Sequence, residues 1–64
     1  MNETATDRLL KIGQVEEMTG LSRRYIYRLM REERFPRQFK PGGYASRWSE
    51  NEVVAWRDRQ RSAR

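Results

Sequence analysis

A chain of 64 residues that contains neither cysteine nor histidine must fold around a small apolar core alone, because it can form no disulfide and no thiolate or imidazole metal site. At this length about 60% of the surface of the unfolded chain is buried on folding, which limits the chain to one small domain without a deep substrate cleft. The side chains most often used as nucleophile and general base are also missing. We therefore expect a binding protein without enzyme activity, cofactor or metal.

The positive charge of the chain is concentrated in its middle. Fourteen Lys and Arg, twelve of them arginine, stand against nine Asp and Glu, for a net charge of +5. Residues 1–20 carry −2, residues 21–48 carry +6 and residues 49–64 carry +1. A basic middle indicates a surface that binds a polyanion, and the guanidinium group matches phosphate and guanine edges well. The alternative is the ordinary solvated surface that any small soluble protein needs.

The sequence carries no signal for export or membrane insertion. Its first eight residues are polar and include two acids, unlike the cationic start and apolar run of a secretory signal. Five consecutive apolar residues occur nowhere, so we expect no membrane span and a cytoplasmic protein. Two Trp, three Tyr and two Phe favour a compact fold despite the 36% of charged residues.

Apolar residues near the start of the chain predict a short amphipathic helix. Ile12, Val15 and Met18 recur at a spacing of three residues, which is close to the helical period. We expect a helix over residues 13–19 that ends at Gly20, because glycine readily adopts the left-handed conformation that terminates helices.

A second helix is predicted after a turn of three residues. Ser22 is a favourable N-cap, and no breaker occurs over residues 23–33. Phe35 and Pro36 end the pattern, because the residue before a proline disfavours helical geometry. Two short helices separated by the tight turn 20–22 predict a helix-turn-helix.

This second helix has one apolar and one basic face. At 100° per residue, Ile26 and Leu29 point toward the core and are flanked by Met30 and Tyr25. Three arginines and a tyrosine lie on the opposite face, with a further arginine at its edge: Arg24, Tyr27, Arg28, Arg31 and, at the edge, Arg23. Such a face suits the major groove of DNA, whose width admits one α-helix. A solvated face with ion pairs to Glu32 and Glu33 is the alternative.

The spacing of these residues suggests individual contacts. Arg24 and Arg28 are one turn apart and can address successive bases or flanking phosphates. Tyr27 can contact a thymine methyl group through its ring or a phosphate through its hydroxyl. An arginine-rich face without interleaved acids repels itself unless an anion approaches it, which favours the DNA interpretation.

A glycine pair in the basic segment predicts a β-hairpin over residues 38–48. Gly42 and Gly43 supply the positive φ angles of a tight two-residue turn. The same glycines either let the backbone approach DNA closely or serve the turn alone. Tyr44 follows them at the tip of the hairpin, where its role stays open.

A two-residue turn also fixes the register of this hairpin. It pairs Lys40 with Ala45, and alternation then places Phe39 and Trp48 on the core face. Lys40 and Arg47 share the outer face. We expect the hairpin to act as a wing whose outer cations reach phosphate or a neighbouring minor groove.

The final helix opens with a capping box, in which the Ser49 and Glu52 side chains bond each other's backbone amides. Val53 and Trp56 lie on its inward stripe. We interpret Trp48 and Trp56 as core residues rather than as a platform for stacked bases.

Three segments are expected along the chain. Residues 1–8 form a flexible lead, residues 9–60 the DNA-binding domain and residues 61–64 a basic tail, toward which the last helix frays. Leu9 and Leu10 form either a short extended lead-in or a piece of the core.

Several short runs of residues occur in a specific order along the chain. They are Gly20-Leu21-Ser22-Arg23, Ile26-Tyr27-Arg28-Leu29, Arg34-Phe35-Pro36, Gly42-Gly43, Arg47-Trp48-Ser49 and Glu52-Val53 with Trp56. In this ordered set, from about residue 10 to residue 56, the chain resembles the AlpA family of prophage regulators. Its opening and first turn are also similar to the MerR-like and excisionase group of winged helix-turn-helix domains.

The resemblance implies a mainly α fold with a small β-hairpin: three short helices and a two-stranded wing. It implies a DNA-binding regulator of phage or mobile-element genes in the nucleoid of a bacterial host cell. Some relatives act as excisionases, which bend DNA to set the direction of recombination. Residue by residue, Ser22, Arg23, Tyr27 and Arg28 match the recognition helix, and Arg47 matches the wing arginine.

The chain departs from the family pattern at four positions. Arg24 and Tyr25 stand where small residues are usual, so the base preference of relatives does not carry over. Glu33 replaces a common helix-ending glycine, which predicts a less well defined helix terminus. Tyr44 stands where arginine is frequent, which predicts weaker contact between wing and DNA.

Together these features predict a sequence-specific double-stranded DNA-binding protein that regulates transcription. The predicted DNA-binding residues are Ser22, Arg23, Arg24, Tyr27, Arg28, Arg31, Lys40, Gly43, Tyr44 and Arg47. The expected partners are double-stranded DNA, a second copy in a homodimer or in cooperative tandem arrays, and an integrase or RNA polymerase. Two alternatives remain open: an excisionase that bends attachment-site DNA, and a basic interaction module or inhibitor that docks on an acidic protein.

Overall fold

Three helices and two short strands make up the computed structural model, which describes residues 7–63. In chain order the elements are β1 (Leu9–Leu10), α1 (Ile12–Thr19), α2 (Arg23–Arg31), β2 (Trp48–Ser49) and α3 (Glu50–Ser62), with a 3-10 turn at Pro41–Gly43. The fold is therefore mainly helical, and the predicted class of a small winged helix-turn-helix is confirmed.

The core takes residues from all five elements and from the segment after α2. Its buried members are Leu10, Val15, Ile26, Leu29, Phe35, Trp48 and Val53. Trp48 is fully buried, which confirms it as a core residue. Trp56 is half-buried, its ring packs edge-on against Phe35 at 4.8 Å, and its indole Nε1 donates to the Arg34 carbonyl at 2.8 Å. Both indole rings therefore pack against the core, although the buried Nε1 of Trp48 has no hydrogen-bond partner among the described residues.

The helix-turn-helix forms as the local sequence predicts. Gly20 adopts φ 75° after α1, and its amide donates to the Glu16 carbonyl at 2.8 Å. Ser22 caps α2, because its hydroxyl accepts from the amide of Tyr25 at 3.1 Å. Both signals act within a few residues of chain, and they fix where α1 ends and where α2 begins.

The end of α2 differs from the prediction. The helix ends at Arg31, two residues before the predicted boundary, and Glu33 adopts φ 59°. The amide of Glu33 donates to Met30 at 3.0 Å and that of Arg34 to Leu29 at 2.8 Å, which is the Schellman pattern of hydrogen bonds. The terminus is thus well defined, and a glutamate occupies the left-handed position that usually holds glycine.

The two strands join distant parts of the chain. β1 pairs antiparallel with β2, with Leu9 opposite Ser49 and Leu10 opposite Trp48. Leu10 is fully buried, whereas Leu9 is 46% exposed, so the segment before α1 is both extended and part of the core.

The hairpin predicted over residues 38–48 is reduced to a single bridge, and its predicted register is wrong. Phe39 pairs with Arg47 through backbone hydrogen bonds of 2.9 and 2.8 Å, with residues 40–46 between them. The 3-10 turn causes the shift, because the Gly43 amide donates back to the Lys40 carbonyl at 2.8 Å and no two-residue turn forms. A slip of one residue exchanges the faces of a strand, so Phe39 lies beside Arg47 and is 44% exposed.

The start of α3 is held by residues from the other end of the chain, a region that we call the α3 junction (Asp7, Arg8, Ser49, Glu50 and Asn51). Half of the predicted capping box forms, since the Ser49 hydroxyl accepts from the Glu52 amide at 3.2 Å. The Asp7 carboxylate accepts from the Ser49 hydroxyl at 2.9 Å and from the Asn51 amide at 3.0 Å. A carboxylate at this position also interacts favourably with the helix dipole.

An ion pair completes the α3 junction. The Arg8 guanidinium contacts the Glu50 carboxylate at 3.2 Å through two nitrogens, and the Glu50 amide donates to the Arg8 carbonyl at 2.9 Å. The hydrogen bond that Arg8 donates to Glu50 raises the pKa of Arg8 further above its ordinary value. Asp7 and Arg8 were expected in the flexible lead, yet both contact α3. The rest of that lead, residues 1–6, lies outside the described residues.

Candidate nucleic-acid interface

The outward side of α2 presents a continuous set of exposed residues, which we call the basic face (Arg24, Tyr25, Arg28 and Arg31). Together with Ser22 these side chains line a shallow groove of about 340 Å³. Ile26 and Leu29 are buried on the inner side of the same helix and hold it against the core. The basic face therefore shows three guanidinium groups and one phenol to solvent.

The two tyrosines of α2 have exchanged their expected surroundings. Tyr25, placed beside the core by helical periodicity, is 41% exposed and lies among the arginines. Tyr27, placed on the outer face, is half-buried and packs edge-on against Trp48, with ring centroids 6.1 Å apart. The reason is tertiary: residues of the wing cover one flank of α2 and leave the other flank open.

The arginines around α2 fall into two groups. Three of them form ion pairs: Arg23 with Glu16 at 3.8 Å, and both Arg28 and Arg34 with Glu32 at 3.2 Å. The hydrogen bond from Arg28, reinforced by Arg34, lowers the pKa of the Glu32 carboxyl below its ordinary value. All of these pairs are exposed, so they contribute little to stability and break easily when a competing anion approaches.

The second group of arginines is not paired with an acid in the part of the chain that the structure describes. Within residues 7–63, Arg24, Arg31 and Arg37 form no salt bridge. Exposed guanidinium groups in this state keep their full charge toward solvent, and they attract phosphate or a base edge without first losing a partner.

The predicted wing residues lie apart from the basic face. Lys40, Gly43 and Tyr44 are exposed, and Tyr44 is the most open of them at 87%. Arg47 is half-buried, and its guanidinium donates to the Ser46 carbonyl at 2.9 Å. The register that pairs Phe39 with Arg47 places Lys40 on the opposite face from Arg47, so these two cations do not share the outer surface.

Sequence reasoning missed three residues that adjoin α2. Arg37 and Gln38 line a cleft of about 320 Å³ together with residues of α2, and Tyr25 belongs to the basic face. Arg37 entered the argument only as one charge of the basic segment. Neither helical period nor strand alternation applies to the irregular stretch after α2, so no local signal placed Arg37 beside the helix.

A larger groove of about 800 Å³ also lies among the described residues, lined by residues 33–39 and by Glu52, Ala55, Trp56, Arg59 and Gln60 of α3. Among residues 7–63, the acidic side chains form no group of three or more that would hold a metal ion. In the same part of the chain, each helix is too short or too polar to cross a lipid bilayer.

Comparisons with known proteins agree with this geometry. The family model described as "Prophage CP4-57 regulatory protein (AlpA)" matches residues 8–61. A curated relative, the uncharacterized protein ORF88 of Enterobacteria phage P4, is 42% identical over 50 residues, which cover 78% of this chain and 57% of the relative. The chain thus spans little more than half the length of that relative. No solved structure is significantly similar to the chain.

Proposed function

The chain belongs to the AlpA family of prophage regulatory proteins, and we propose that it binds double-stranded DNA sequence-specifically and regulates transcription of phage or mobile-element genes. In this proposal α2 enters the major groove, and the wing lies over the backbone or the adjacent minor groove. The protein acts in the cytoplasm of the bacterial host, at the nucleoid.

The observation that carries the proposal is the basic face of α2. Arg24, Arg28 and Arg31 lie within two helical turns and are all exposed, and a buried apolar face fixes the helix behind them. Like charges at this spacing repel one another, and an approaching polyanion removes that cost. A single helix presented in this way fits the width of the major groove.

Individual roles follow from exposure and reach. Arg24 and Arg28 contact base edges, where a guanidinium donates two hydrogen bonds to guanine, and Tyr25 packs against a thymine methyl group. Glu32 holds Arg28 in the free protein, and guanine replaces the glutamate on binding. Ser22 and Arg23 at the start of α2, and Lys40, Gly43, Tyr44 and Arg47 in the wing, position the protein on phosphate.

One copy of this module is small for a specific complex. A single domain of this kind contacts roughly 600–1,000 Å² of its own surface, near the lower limit for specific binding. We therefore expect two copies, as a homodimer or in tandem, to occupy one regulatory site. Two half-sites about one helical turn of DNA apart would show this arrangement directly.

The test begins with selection of binding sites from random duplex DNA, followed by gel shifts on the selected and on a scrambled duplex. With about six phosphate contacts, the logarithm of the affinity should fall against the logarithm of the salt concentration with a slope of roughly −5. Arg28→Ala should reduce the preference for the selected site, whereas Lys40→Ala should weaken both duplexes equally. Arg61→Ala in the last turn of α3 is the control for a lost charge.

Two outcomes would change the proposal. A flat salt slope with no difference between the duplexes would remove DNA as the partner and favour a basic module that docks on an acidic protein. Specific binding with a strong bend, measured by circular permutation of the site, would assign the protein as an excisionase rather than a simple regulator.

A further inference from the structure

We propose that the cleft between α2 and the segment after it is a binding site for one backbone phosphate of DNA, with Arg31 and Arg37 as its two guanidinium donors. This inference rests on the proposed DNA binding for the identity of the ligand. It adds Arg37 and Gln38 to the interface, and it gives Arg31 a different task from that of Arg24 and Arg28.

The shape of the cleft supports a bound anion. Tyr27, Met30 and Arg31 of α2 form one wall, Arg37 and Gln38 form the other, and the volume between them is about 320 Å³. The half-buried residues Tyr27, Met30 and Gln38 make the floor, while the two exposed arginines stand at the rim. An open rim admits a phosphate that remains part of a continuous DNA strand.

The electrostatics of the cleft point the same way. Glu32 forms salt bridges with both Arg28 and Arg34, and no acid within residues 7–63 forms a salt bridge with Arg31 or Arg37. Two positive groups that line one small cleft repel each other, and an anion bound between them replaces this repulsion with attraction. Phosphate suits the site because each guanidinium donates two parallel hydrogen bonds to its oxygens.

The floor of the cleft is held in place before any ligand arrives. The Tyr27 hydroxyl donates to the side-chain oxygen Oε1 of Gln38 in a long hydrogen bond of 3.4 Å, so the side-chain NH2 of Gln38 is the donor that this amide can offer to a ligand. Tyr27 is braced by the buried Trp48, and Phe39, which follows Gln38, is bonded to Arg47 of the wing. Prepositioned donors bind with less loss of conformational entropy.

This arrangement gives the proposed phosphate site a specific role. Its walls come from α2 and from Arg37 and Gln38, which lead into the wing. A phosphate bound there therefore ties α2 and the wing to one point on the DNA backbone. A contact of this kind carries no base preference, but it fixes the depth and register at which α2 sits in the major groove.

The test compares Arg37→Gln with Arg34→Gln, a matched control that removes the same charge from the same segment. Arg34 is held by Glu32 and does not line the cleft. Arg37→Gln should lower the affinity for selected and scrambled duplexes alike, by about fivefold to tenfold, and should reduce the salt slope by about 1. Arg34→Gln should change affinity less than twofold, and thermal melts should show both variants folded.

Chemical modification of the DNA identifies the phosphate. We would prepare a series of duplexes, each with one neutral methylphosphonate at a different position. At one position the substitution should lower the affinity of the wild-type protein but should not further lower the affinity of Arg37→Gln. This loss of additivity is expected only if the two groups contact each other. Titration with inorganic phosphate, followed by NMR, separates a free-anion site from a DNA backbone site.

Each outcome decides the proposal. If the wild-type protein binds a selected duplex but Arg37→Gln weakens binding no more than Arg34→Gln does, the proposed phosphate site is wrong and the proposed function stands. If the wild-type protein binds no duplex, both fall together. A further outcome is that inorganic phosphate binds in the cleft while the effects of Arg37→Gln and of every methylphosphonate simply add. This result would also overturn the proposed phosphate site, because the cleft would then bind a free anion and not the DNA backbone.

Discussion

The α3 junction and the phosphate cleft use charge in opposite ways. At the junction each charged side chain meets a partner more than 40 positions away: Asp7 meets Ser49 and Asn51, and Arg8 meets Glu50. At the cleft Arg31 and Arg37 line a small volume, and neither forms a salt bridge with an acid of residues 7–63. Complementary contacts between distant residues stabilise a fold, whereas like charges side by side oppose it. In our proposal, the first arrangement stabilises the fold and the second binds a phosphate.

The largest effect that tests this comparison comes from the strand beneath the junction. Leu10→Ala should lower the free energy of unfolding by about 3 kcal/mol, because Leu10 is fully buried and its removal leaves a cavity. Leu9→Ala in the same strand is the matched control, since Leu9 is 46% exposed, and it should cost less than about 0.5 kcal/mol. Urea denaturation followed by circular dichroism measures both. Equal effects would show that β1 is not anchored through Leu10.

The cap supplied by Asp7 should give the next largest effect. Asp7→Ala removes the acceptor for the Ser49 hydroxyl and the Asn51 amide, and it should lower stability by about 1–2 kcal/mol. Asp58→Ala is the control, because it also removes one negative charge, but from an exposed position within α3 itself. DNA affinity should change little in either variant. A loss of stability no larger in Asp7→Ala than in Asp58→Ala would show that the junction does not secure α3.

A third prediction concerns the backbone strain at the end of α2, on the side of the molecule that carries the cleft. Glu33 has φ 59°, a conformation that costs a residue with a Cβ atom about 1–2 kcal/mol. Glu33→Gly should therefore raise the free energy of unfolding by about 1 kcal/mol, the remainder being offset by the greater freedom of glycine in the unfolded chain. Glu33→Ala separates the causes, because it removes the charge and keeps the strain. If alanine stabilises as much as glycine, charge rather than conformation explains the gain.

Much of this fold is readable from the sequence because its signals are local. Gly20, Ser22 and Ser49 each act on backbone groups within four residues, and all three mark helix boundaries as predicted. The apolar spacing in α1 and α2 identified Val15, Ile26 and Leu29 as core for the same reason. Local chemistry of this kind needs no knowledge of the tertiary structure.

The features that the sequence did not reveal depend on distant contacts. Nothing near Asp7 indicates that it caps a helix beginning 43 positions later. The helical period placed Tyr27 outside and Tyr25 beside the core, but the wing covers the opposite flank from the one assumed. The register of the wing depended on whether Gly42 and Gly43 formed a two-residue turn, and the preceding proline favours the 3-10 turn instead. Arg37 lies in an irregular segment, so its position beside α2 follows only from the folded chain.

The smallest expected effect concerns the ion pairs that distinguish Arg28 and Arg34 from the arginines of the cleft. The folded protein lowers the pKa of Glu32 below its ordinary value of 4.5, chiefly through the hydrogen bond from Arg28. A lowered pKa contributes stability above the ordinary value, and this contribution is lost as the pH falls through the folded pKa. Glu32→Gln should therefore lose less stability than the wild-type protein between neutral pH and roughly pH 3.5.

The control for this last prediction is Glu17→Gln, which removes an exposed carboxylate of α1 and leaves the Glu32 pairs intact. It should keep the acid sensitivity that Glu32 provides. Urea midpoints at the two pH values, measured at low salt and again at about 1 M salt, make the comparison sharper, because salt screens exposed pairs and should reduce the difference. Equal pH dependence in Glu32→Gln and wild type would mean that Glu32 does not hold these arginines in solution. Arg28 would then be as free as Arg31 and Arg37, and the distinction between paired and unpaired arginines along α2 would disappear.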